Sequence, residues 1–115
     1  MKWLAQLFQK SQSVSQVDEV KSRAYVAFTA WGPDGVKHRE SKLADVFPDV
    51  PEATRLLWSA EFKKIDSEIW NIVQRGIREG SQRRFARELQ SKFPFMNKQA
   101  LDWAWSLASY YAIHG

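Results

Sequence analysis

A chain of 115 residues, 44% hydrophobic and 26% charged, is long enough for one modest core and short for two. The absence of cysteine removes disulfides, thiolate zinc sites and a cysteine nucleophile, and no apolar run approaches the roughly 18 residues of a membrane-spanning helix. The net charge of +4 is unevenly placed: residues 34–74 carry six Lys/Arg against eight Asp/Glu, whereas 75–98 carry seven against two, a balance that favours an acidic partner for the latter segment, whether nucleic acid, anionic lipid or an acidic protein face.

Residues 1–10, MKWLAQLFQK, are too short and too interrupted for a secretory h-region, so a cytoplasmic protein without a signal peptide is expected. Trp3, Leu4, Leu7 and Phe8 share one helical face, which predicts a short amphipathic helix over 1–10. Weak membrane contact through residues 2–10 is one use of such a helix. Packing on the rest of the chain, or on a second copy, is the favoured one. The polar run at 11–16 has the composition of a flexible linker, leaving 17–115 as a single helical domain.

Residues 17–31 support two readings. As a helix, Val17, Val20, Ala24, Phe28 and Trp31 line one face, with Ser15 and Asp18 placed to cap it. As a strand, Tyr25–Trp31 is rich in β-formers, and Gly32-Pro33-Asp34-Gly35 would turn it into a hairpin at about 25–41. The regular five-position stripe favours the helix, at the cost of Val26 on the polar side. Leu43–Phe47 predicts a short helix ended near Pro48, and Asp49 and Pro51 open a long one. In that helix Trp58, Phe62, Ile65, Ile69, Ile72, Val73 and Gly76 share a face, and Gly80 is the expected stop. Leu56 and Leu57 lie off the stripe, which calls for a bend or a separate contact.

Ser81 is placed to cap a helix over 82–92, with Phe85, Ala86, Leu89 and Phe93 on its apolar arc and Arg83, Arg84, Arg87, Gln90 and Ser91 outside. Pro94 breaks it, and Asn97 is a natural N-cap for a last helix over 98–113. That helix is apolar over more than half its circumference, with Ala100, Leu101, Ala104, Leu107, Ala108 and Tyr111 central and Trp103, Trp105 and Tyr110 at the margins. The helical pattern of Ile69–Ala100 resembles the helical part of phage head-morphogenesis (minor capsid) proteins. That family's alanine-arginine-threonine-glutamate signature would fall near Ala104, where this chain reads Trp103-Ala104-Trp105-Ser106, so no residue role is carried over. The fold expected is mainly α, a small bundle of four or five helices, with α+β through the 25–41 hairpin as the alternative.

Two constellations point to binding. Arg75, Arg78, Arg83, Arg84 and Arg87, with Lys92 and Lys98 nearby, form a basic face suited to anion or nucleic-acid contact. A helix-turn-helix is a poor fit, because the would-be reading helix offers Asp102, Ser106 and Ser109 to bases. A solvated basic face is the ordinary reading of such a run. The second constellation is aromatic: among six Trp, three Tyr and seven Phe, Trp70, Trp105 and Tyr110 fall off or at the edge of the core stripes and are the residues expected to meet a partner. Catalysis finds little support. His38 and His114 are the only histidines, and no Gly-rich phosphate loop or nucleophile elbow is present. No catalytic residue, metal ligand or cofactor is expected. The function expected is a small non-enzymatic binding protein of inhibitor, adaptor or immunity type that meets a protein partner, with homo-oligomerisation open. The alternative is nucleic-acid binding through the Arg-rich helix 82–92.

Overall fold

The computed structural model describes residues 14–30, 39–76 and 81–114. They form five helices: α1 (Val14–Thr29), α2 (Arg39–Val46), α3 (Glu52–Gln74), α4 (Gln82–Lys92) and α5 (Lys98–His114). No strand occurs among the described residues, and the protein is a small helical bundle. The hairpin alternative fails at both arms, because Tyr25–Thr29 is the last turn of α1 and Arg39 opens α2. The β-forming run Tyr25–Trp31 gives way to burial: Ala24, Tyr25 and Phe28 are fully enclosed on the inner side of α1. α1 begins at Val14, inside the stretch read as a linker. The N-terminal amphipathic stretch 1–10 lies outside the described residues.

α3 is the spine and packs against each of the other four helices. Its inner stripe is the one expected, with Trp58, Phe62, Ile65, Ile69 and Ile72 buried. Phe62 is the hub. Its ring stands edge-on to Phe28 and Tyr25 at centroid distances of 5.4 and 5.6 Å, and tilted against Phe95 and Trp58 at 6.1 and 6.4 Å, geometries that suit aromatic quadrupoles. Phe95 and Met96, in the connection between α4 and α5, are also core residues.

Two buried hydroxyls pin the layers together. Ser22 Oγ donates to the carbonyl of Phe95 at 3.0 Å and accepts the N–H of Asn97 at 3.1 Å. Thr29 Oγ1 accepts the indole N–H of Trp103 at 2.7 Å and donates back to the Tyr25 carbonyl at 2.9 Å. Both serve to hold α1 on the C-terminal third of the chain.

The helix ends follow the sequence in part. Asn97 caps α5 as expected, its Oδ1 accepting the N–H of Ala100 at 3.0 Å. Ser81 stands at the N-cap of α4, but its side chain makes no capping hydrogen bond; its carbonyl accepts the N–H of Phe85 at 2.8 Å. α3 stops at Gln74, not at Gly80. Gly76 takes φ +91° and donates its N–H to Val73 at 2.9 Å, so the first glycine to reach the left-handed half of backbone space ends the helix. α3 continues as one unbroken helix through Leu56 and Leu57, with both side chains exposed.

Candidate functional site

The core stripe of α3 turns Ile69 and Ile72 inward and therefore leaves Trp70 on the outside. On α5, Ala100, Leu101, Ala104 and Ala108 face in, which puts Tyr110 and Ile113 outside near the end of the helix. The two helices pack side by side and bring these residues into one patch. Trp70, 39% exposed, meets Tyr111 edge-on at 6.0 Å. Tyr111 meets Tyr110 at 6.2 Å, and Tyr110 lies against the His114 ring at 4.5 Å. Tyr110 is 47% exposed and Ile113 77%. The Tyr111 hydroxyl reaches Asp66 Oδ1 at 3.5 Å, and Asp66, Ser67, Trp70, Asn71 and Tyr111 line a shallow cleft between the helices.

Trp105 is not brought to this patch. It lies about 140° round α5 from Tyr110 at about 100° per residue. Its ring is half-buried, edge-on to Phe85 at 5.3 Å, and fills the seam between α4 and α5. Tyr111, read as a central core position, and Ile113, not singled out at all, take its place. For Ile113 the signal was local, three residues after Tyr110 on the same face. For Tyr111 the signal was not local, because its partner Trp70 is on another helix.

The expected basic face divides in two. Arg83, Arg84 and Arg87 lie on the exposed side of α4 and make no ion pair among the described residues. Arg75 is instead engaged by α4: its guanidinium donates to Glu88 Oε2 and lies 3.9 Å from Glu68. The hydrogen bond that Arg75 donates to Glu88, and then the charge of that carboxylate, raise the Arg75 pKa above the ordinary arginine value. Lys92 pairs with Glu68 and Lys98 with Asp102 at 2.6 Å. Arg75 and Lys92 thus clasp α4 onto α3. Arg78 lies outside the described residues.

No family model, curated protein or solved structure matches this chain. The site therefore stands on its own chemistry. Among the described residues no group of three or more His, Asp or Glu is arranged to hold a metal ion, and no helix is long and apolar enough to cross a membrane. What the patch offers is ring faces and edges, one aliphatic side chain and a hydroxyl beside a carboxylate, which are means of contact.

Proposed function

We propose that this protein is a non-enzymatic binding module whose partner is another protein, docked on Trp70, Tyr110, Tyr111 and Ile113. The observation that carries this reading is the Trp70–Tyr111–Tyr110 run of contacting aromatics, left partly exposed beside Ile113 on two helices whose cores are otherwise filled. Tryptophan and tyrosine anchors supply large contact area with few rotatable bonds, and they dominate measured binding energies. The inhibitor, adaptor and immunity classes all work by such contact. Arg83, Arg84 and Arg87 would then steer an acidic partner at a distance.

A second reading is favoured by those same three arginines, which carry charge with no internal partner among the described residues: contact with nucleic-acid phosphates. Fluorescence anisotropy with labelled DNA and RNA, at low and at near-physiological salt, separates the two. The protein-binding reading expects binding at low salt only, or none. Micromolar binding that survives the higher salt and is lost on replacing all three arginines by alanine would put nucleic acid first. The protein reading is then tested by quantitative co-purification. Trp70→Ala and Tyr110→Ala should both lose the partner that Trp105→Phe keeps. A partner retained by both alanine variants would remove the patch from the mechanism.

A further inference from the structure

Glu88 is the one carboxylate of α4. On an isolated helix its partners would be Arg84 and Lys92, one turn away on either side, and Arg84 would be neutralised. The fold distributes these charges differently. Arg75, just past the end of α3, takes Glu88 into an ion pair, and Lys92 pairs with Glu68 of α3. Arg84 lines the same cleft as Arg75 and Glu88, walled in part by Ile72 and Phe85. It is exposed and makes no ion pair among the described residues. Glu88 thus stands beside two guanidinium groups and is held by one of them.

An ion pair with an exposed guanidinium adds little to stability, and α4 is already anchored by the burial of Phe85 and Leu89. The larger consequence of the Arg75–Glu88 pair is where it leaves the carboxylate. We propose that Arg75 is a positioning residue for the basic face: by holding Glu88 against the end of α3, it keeps Arg84 uncompensated, so that Arg83, Arg84 and Arg87 together meet an anionic partner. This rests on the reading that these arginines face an anion, whether they steer a protein or contact phosphate. It adds that a residue outside the face sets how much charge the face shows. Without Arg75, Glu88 turns to Arg84, because Lys92 is held by Glu68, and the face loses one of its three charges.

The test is a mutant cycle on the full chain, read as affinity for a fluorescently labelled heparin fragment at low salt. Heparin serves as a polyanion of neither partner class. In the wild type, Arg84→Gln should weaken binding about fivefold, the order of one basic residue at an anionic surface. In an Arg75→Gln background the same substitution should change little, because Glu88 has already neutralised Arg84. In the Arg75→Gln, Glu88→Gln background it should again cost about fivefold, since no carboxylate remains to take Arg84. That last background also lacks the clasp, so damage to the α4 fold would persist in it, whereas neutralisation is reversed. Helical circular dichroism on each variant checks the same point. If Arg84→Gln costs as much without Arg75 as with it, Arg75 has no positioning role and the proposal is overturned. If Arg84→Gln is silent in the wild type, or the wild type does not bind heparin, the anion-facing reading of the arginines fails and takes the proposal with it. Trp70 and Tyr110 do not enter the cycle, so docking on the aromatic patch stands or falls separately.

Discussion

At Ser22 one hydroxyl answers two backbone groups from a segment more than 70 residues away, the Phe95 carbonyl and the Asn97 N–H. Ser22→Ala removes both bonds and leaves the Phe95 carbonyl and the Asn97 N–H without that partner, which costs about 1–3 kcal/mol. Urea denaturation should show a lower midpoint at unchanged slope. Phe62→Ala should cost more, about 3–5 kcal/mol, because it empties the space that Tyr25, Phe28, Trp58 and Phe95 share. The two positions differ in how far the sequence revealed them. Phe62 stood in the middle of a regular stripe and was legible as core. Ser22 and Thr29 are as fully buried, yet nothing in their neighbourhood marked them. Their burial depends on Phe95, Asn97 and Trp103, which the fold alone brings near. Trp70 was legible as an outlier of its stripe, whereas the Tyr111 ring that supports it was not.

Among the elements, every described helix was legible because apolar residues recur at three and four positions along each. The ends were less so. The α3 stripe ran on through Val73 to Gly76, and Gly80 was the stop expected. The left-handed backbone at Gly76 ends the helix earlier, and composition does not encode it. Gly76→Ala should therefore destabilise the protein by about 1–2 kcal/mol, the ordinary cost of left-handed backbone for an L-residue. Nothing lies within 4 Å of where the new Cβ would stand, so no clash adds to that cost. Gly76→Asn should recover part of the loss, since asparagine tolerates this region better. Thermal melts of the two variants check the order. At the start of α5, Asn97→Ala should cost about 1 kcal/mol through the lost bond to the Ala100 N–H. The residues for which a strand was the alternative, Tyr25–Thr29, were settled by packing, because a helix there places Tyr25 and Phe28 together on Phe62.

At the scale of the whole molecule, the basic C-terminal third was evident in the sequence, but its division was not. Arg75 and Lys92 belong to the α3–α4 clasp, and Arg83, Arg84 and Arg87 present charge outward. A charge that acts at a distance and an aromatic patch that acts in contact leave different kinetic signatures on one partner. Steering charges change the association rate and are screened beyond about 8 Å at physiological salt, whereas desolvated anchors set the dissociation rate. With the captured partner on a biosensor, replacing the three arginines by alanine should slow association about tenfold at low salt, the modest end of electrostatic steering. The difference should vanish as salt is raised, with dissociation unchanged throughout. Trp70→Ala should leave association nearly unchanged and speed dissociation about 30-fold, the equivalent of an anchor worth about 2 kcal/mol. The two effects should combine independently in the quadruple variant, because the arginines and Trp70 lie on different helices and share no contact. If the arginine variant instead loses binding altogether while Trp70→Ala keeps it, the charges are the contact, and the anionic partner of the second reading takes the place of the protein.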